Sequence, residues 1–195
     1  MAELLPTPST ELEAVNRLLQ NIGESPVNSL SGQLTNDVTM ARTMLHQVSR
    51  DVQIEGWHFN TERNFTLVPD SGGYINLPGN TLEFSLEKGY NWGMDVAQRG
   101  LKLYDRVNHT YRFDTDLIAR LVLFLPFDEM PEAARLFVTM VAMRMHGTQT
   151  TTSEEIFRFT MEDEMRARAK LINAQGLQSK HNILNKVARD LASYQ

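Results

Sequence analysis

Apolar residues recur at helical spacing toward both ends of the chain and at shorter, turn-punctuated spacing in the middle. Leu12, Val15, Leu18, Leu19 and Ile22 fall on one helical face. Thr10 with Glu13 three residues on has the form of a capping box, and Gly23 supplies a stop. Residues 24–33 carry Pro26, Gly32 and several Ser and Asn, which is loop chemistry. A second helix is expected from Asn36 or Asp37, with Val38, Ala41, Leu45, Val48 and Val52 three and four apart, ending at Gly56.

The period changes at Trp57. From there to Phe127 short stretches rich in Phe, Tyr, Leu and Thr alternate with Gly72-Gly73, Pro78-Gly79-Asn80, Gly89, Gly93 and Gly100, which predicts antiparallel strands. The expected strands are 57–61, 64–68, 74–77, 82–86, 96–99, 101–105, 111–113 and 117–124. Helix returns after Pro126, where Asp128 and Pro131 are start signals. Leu136 to Met143 carry no charge, and Ala133, Phe137, Met140, Val141 and Met145 spread around the helix, so it demands burial on several sides. Gly147 is expected to end it, with a polar break at 148–152.

Thr152 and Glu155 then form a second capping box. Glu154 with Arg158, Glu162 with Arg166 and Glu164 with Arg168 place acid four residues before base, a pairing that supports an exposed helix. After Gly176 a last amphipathic segment carries Ile183, Leu184, Val187 and Leu191 on one side and Lys180, Lys186 and Arg189 on the others. The class that follows is α+β: a helical bundle formed by N- and C-terminal helices with an inserted antiparallel β-rich domain. The corresponding parts are 1–56, 57–127 and 128–195, the last packing on the first pair of helices.

Composition narrows the function classes. The 195 residues carry 19 Lys and Arg against 24 Asp and Glu, a formal net charge of −5, which does not suit a strongly basic nucleic-acid binder. No apolar run is long enough to cross a bilayer, so no membrane insertion is expected, and the N-terminal residues do not read as a secretory signal. With no cysteine there is no disulfide framework, no thiolate metal site and no thiol nucleophile. Nucleophile elbows and phosphate-binding glycine loops are missing from the sequence, and His46, His58, His109, His146 and His181 lack metal-ligand spacing. No cofactor, metal or catalytic residue is therefore assigned.

Carboxylates near Asp128, Glu129 and Glu132 keep a glycan hydrolase open as an alternative, though acids also belong at a helix start. Aromatics in the β region keep a nucleic-acid module open, but cations are sparse beside them in the sequence and strand packing accounts for them better. Tyr90 and Trp92, in a glycine-flanked loop, stand out as candidate exposed contacts.

Four stretches together resemble one family. They are Ala14-Val15-Asn16 through Ile22-Gly23-Glu24-Ser25-Pro26-Val27; Arg50 through Gly56-Trp57-His58-Phe59-Asn60; Tyr104-Asp105-Arg106 with Thr110 and Phe113; and Asp128-Glu129-Met130-Pro131-Glu132 with Arg135, Val138, Ala142 and Arg144. In this order they resemble the tail tubular protein A family, the head-to-tail adaptors of short-tailed bacteriophages. The resemblance implies a non-enzymatic virion tail protein, assembled in the host cytoplasm into a homo-oligomeric, dodecameric ring beneath the portal protein. It implies a tail nozzle below, tail fibres at the side, and DNA passing through the lumen without sequence-specific binding. On that footing Tyr90 and Trp92 are candidate nozzle or fibre contacts, and Ile183, Leu184, Val187 and Leu191 are candidate portal or subunit docking residues.

Overall fold

A computed structural model describes residues 8–90, 93–150 and 161–177. Helices and antiparallel sheets are both present, as the α+β class requires. The chain divides into two compact units, one built from residues 1–52 and 126–195 and the other from 53–125.

In the first unit, α1 (Glu11–Asn21) starts at the expected capping box. Thr10 accepts from the Glu13 amide, and the Glu13 carboxylate accepts from the Thr10 amide. Its end is a Schellman motif: Gly23 lies at φ +83°, its N–H donates to Gln20, and that of Glu24 donates to Leu19. Ala14, Val15, Leu18 and Leu19 are buried, and each large aliphatic side chain so placed contributes about 1.5–3 kcal/mol. Helix α2 (Asn36–Gln53) buries Val38, Ala41, Met44, Leu45, Val48 and Val52. A 3-10 turn (Phe127–Glu129) leads into α3 (Glu132–Thr150), which buries Ala134, Phe137, Val138 and Ala142.

Helix α3 does not stop at Gly147 but continues to Thr150. The glycine is there for proximity: a Cβ would come within 2.7 Å of the Asn21 side-chain nitrogen, which donates to the Met143 carbonyl at 3.1 Å. A fourth helix, α4 (161–177), returns along α3 and buries Ala167 and Leu171. The expected Glu162–Arg166 pair forms at 3.2 Å, while Glu164 is bound by Arg144 of α3 and Arg168 lies over the Phe137 ring. The expected box at Thr152 and Glu155 and the Glu154–Arg158 pair lie outside the described residues.

In the second unit, β5 (Leu117–Leu123) runs between β1 (Thr61–Leu67) and β2 (Thr81–Leu86), antiparallel to both. Strands β3 (Val96–Arg99) and β4 (Lys102–Asp105) pair antiparallel in a second sheet. Leu67, Ile75, Leu77, Leu103, Phe113, Leu117, Ala119 and Leu121 form the core. Three expected strands are not formed. Residues 57–61 are largely a turn, because the Asn60 side-chain oxygen accepts from the Trp57 amide at 2.9 Å. Residues 74–77 and 111–113 make only isolated bridges: the Tyr74 amide goes to Asp70 and that of Arg112 to the Thr110 hydroxyl, so neither is free for a ladder.

The chain enters and leaves this unit at one buried polar clasp. Gln53 donates its side-chain amide to the Leu125 carbonyl at 2.9 Å and accepts from the Leu125 amide at 2.8 Å. Asn60 donates to the carbonyls of Gln53 and Leu123, each at 2.9 Å. Gly56, at φ +76°, passes so close to β5 that any Cβ would run into the Arg120 guanidinium and the Val122 side chain.

Leaving the part-buried Leu125 groups or the acceptors bound by Asn60 unpaired costs about 1–3 kcal/mol per group. Gln53→Ala and Asn60→Ala are each expected to lower the unfolding free energy of the full chain by about 2–4 kcal/mol in urea titrations. A loss below about 0.5 kcal/mol, the range of ordinary surface substitutions, would show the clasp to be incidental.

Candidate functional site

The four stretches that carry the family resemblance turn out to be places where side chains hold backbone. Asn16 in α1 closes on the loop that follows it, donating to the Val27 carbonyl at 2.9 Å and accepting from its amide at 2.8 Å. Asn60 and Gly56 belong to the clasp described above. Asp105 accepts from the Val107 and Asn108 amides and the Asn108 side chain at 2.8–3.0 Å, closing the turn that returns to Thr110. The Asn108 bonds, with that of Val107, outweigh desolvation and hold its carboxyl below the usual carboxylate range. Arg135 donates to the carbonyls of Met130, Ser9 and Asp128, joining the start of α3 to the residues before α1.

The same region accounts for two of the carboxylates considered for hydrolysis. Glu132 accepts from the Ser9 amide and hydroxyl at 2.8 and 2.7 Å, and Asp128 accepts from the Glu11 amide at 3.2 Å. Both therefore satisfy donors at the N-terminal end of α1. Glu129 is exposed. Desolvation opposes ionisation of Glu11, but hydrogen bonds from Arg42 and His46, each at 2.7 Å, hold its carboxyl below the ordinary range.

His46 is thus engaged with Glu11, and His146 is buried in α3. Among the described residues no group of His, Asp and Glu is placed to hold a metal ion.

Tyr90 is 64% exposed at the end of a turn, so its ring is available for contact. Trp92, Ile183, Leu184, Val187 and Leu191 lie outside the described residues. Two surfaces were not anticipated from sequence. On α4, Met161, Met165 and Ile172 are about half exposed and share one side of the helix, apart from the buried Ala167 and Leu171; their spacing of four and seven was a legible signal.

The second surface is in the β unit. Pairing puts Arg99 opposite Lys102, Ala97 opposite Tyr104, Asn76 opposite Lys102 and Tyr74 opposite Arg112, all on one side, while Ile75 and Leu103 point into the core. Arg99 stacks 3.6 Å from the centre of the Tyr104 ring, Tyr111 meets Tyr104 edge-on at 4.8 Å, and Lys102 sits 5.2 Å from the Tyr74 ring. Only the alternation of Lys102 with Tyr104 hinted at this in sequence; the other members come from three separate segments.

A family model for tail tubular proteins matches residues 12–181, and the chain belongs to that family, structural proteins of the phage tail. It is 32% identical over 131 residues to tail tubular protein A of Klebsiella phage KP34, an alignment covering 66% of each chain and so just under two thirds of the relative's length.

Burial lowers the pKa of His146 against a smaller opposing effect of Asp37, and burial lowers that of His58 as well. A histidine depressed in the folded state is neutral in both states above its ordinary range near 6.5, so no stability is lost there. As pH falls below that range the unfolded chain takes the proton first, and stability drops by up to about 1.4 kcal/mol per pH unit until the folded pKa is reached. Urea melts from neutral pH to about pH 5 are expected to show a shallower decline in His146→Gln than in the parent. Parallel declines would remove His146 as the cause.

Proposed function

We propose that this chain is the subunit of a ring that sits between the portal and the tail nozzle, serves as the conduit for DNA ejection and carries the attachment region for tail fibres. The observation that carries the reading is membership of the tail tubular family across residues 12–181. The arrangement of the chain suits it. A closed ring needs one face of a subunit to meet a different face of the next, and exposed apolar residues on α4 and on α2, where Met40 is half exposed, offer two such faces on the helical unit. The β unit, with Tyr90 and Trp92, would meet nozzle or fibre, and Ile183, Leu184, Val187 and Leu191 would dock toward the portal.

The subunit works in this reading without catalysis. Asp128 and Glu132, which a hydrolase would need free, accept from the Glu11 amide and from Ser9 respectively. A charge of −5 per chain becomes roughly −60 in a ring of about twelve, a field that disfavours adhesion of passing DNA where acids face the lumen. Assembly takes place in the host cytoplasm, where a chain without cysteine cannot cross-link.

The reading is tested by capture on purified portal. Leu184→Asp and Val187→Asp are expected to lose portal binding at least about tenfold, a change of about 1.4 kcal/mol or more, with circular dichroism and melting unchanged. Capture equal to the parent's would refute the docking role, and turnover of purified glycan that disappears in Glu129→Gln would replace the structural reading with an enzymatic one.

A further inference from the structure

The cation and tyrosine face of the β unit lacks its counter-charges. Arg99, Lys102 and Arg112 are exposed, and among the described residues none has a carboxylate within ion-pair distance. The neighbouring acids are already used: Asp95 by Arg106, Asp105 by its own turn, and Asp70 by the amides of Gly72 and Tyr74. Asp114 and Asp116 follow Arg112 in the chain but do not pair with it.

Arg99 and Lys102 are held in place by ring contacts, so less side-chain freedom is lost when a partner binds. Arginine and tyrosine are also the residue types that concentrate binding energy at protein interfaces.

The geometry argues against a nucleic-acid platform. Base stacking needs an open ring face, yet Arg99 covers a face of Tyr104, Tyr111 packs against the same ring, and Lys102 lies over Tyr74. Three cations on a chain of net charge −5 also make a poor phosphate track. A protein carboxylate fits better, because Arg99 and Arg112 each offer a planar fork that pairs with it bidentately.

We infer that this face is a self-contact surface, paired with exposed carboxylates of a second copy of the chain. With three positive charges set aside on it, the remainder of the chain is more acidic than −5, and Glu24, Asp51, Glu62 and Glu129 are exposed without a basic partner among the described residues. The contact is heterologous, this cationic face against carboxylates elsewhere on the next copy, the kind that propagates around a ring. It rests on the ring reading and adds to it a lateral contact through the β unit.

Carbodiimide coupling at low salt tests it, using a mixture of ordinary and heavy-nitrogen-labelled full-length chain. The reagent joins the Lys102 amine to a carboxylate as an amide and takes up the water released. Lys102 peptides joined across the two isotopes are expected, falling at least about tenfold at high salt and in Arg99→Glu with Arg112→Glu. Lys102→Arg keeps the charge and is expected to preserve self-association by sedimentation while losing the cross-link. Lys102 joined only within one isotope, or mixed links unchanged in the double variant, overturns the inference. So does salt-dependent binding of duplex DNA that the double variant abolishes in the absence of mixed links. Rings seen on portal while any of these contrary results holds would leave the ring reading intact, and a double variant that melts like the parent rules out misfolding as the cause.

Discussion

The β unit depends on the pair of amide side chains at the point where its two ends meet. Gln53 presents to Leu125 the donor and acceptor that a neighbouring strand would have offered, and Asn60 binds the carbonyls of Gln53 and Leu123. Loop closure over some seventy residues is an entropic cost that the sheet alone recovers slowly, because its pairings are distant in sequence. Strand β1 pairs with β5 and β2 pairs with β5, so fixing β5 against the segment before β1 sets the register for all three. The bulges in both ladders, between Glu62 and Phe65 and between Thr81 and Glu83, lie toward this same end.

The helical unit solves a comparable problem with different groups. Its two chain segments are far apart in sequence, and Arg135, Glu132 and Asp128 tie the start of α3 to the start of α1 while Asn21 ties their far ends. Several of the residues by which the chain resembles its family, Asn16, Asn60, Asp105, Asp128, Glu132 and Arg135 among them, therefore hold backbone.

Much of the frame was legible beforehand. The capping box at Thr10, the Gly23 stop and the apolar faces of α1 and α2 follow from local rules, and the structure has them where the rules put them. The structure departs from local rules where a residue serves a distant partner. Gly147 reads as a helix end because its reason, the approach of Asn21, is 126 positions away in sequence. Residues 57–61 have strand-like aromatics, but Asn60 bends them toward Gln53 and Leu123. Glu164 has a suitable partner along its own helix and is bound by Arg144 on another. The cation and tyrosine face was illegible for the same reason, since Tyr74, Arg99, Tyr104 and Arg112 become neighbours only through pairing across segments. The exposure of Tyr90 was legible because a position beside glycines in a turn is a local property.

A frame held by polar clasps, with apolar and cationic faces turned outward, suits a part that is stable alone and finished by its neighbours. The central claim is that those neighbours include further copies arranged as a ring on the portal. Electron microscopy of the purified chain mixed with purified portal, with mass measurement of the complex, tests this most directly. A closed ring of about twelve copies seated on one end of the portal is the predicted result. A complex of one or two copies, or no complex under conditions in which both proteins are folded, would contradict it.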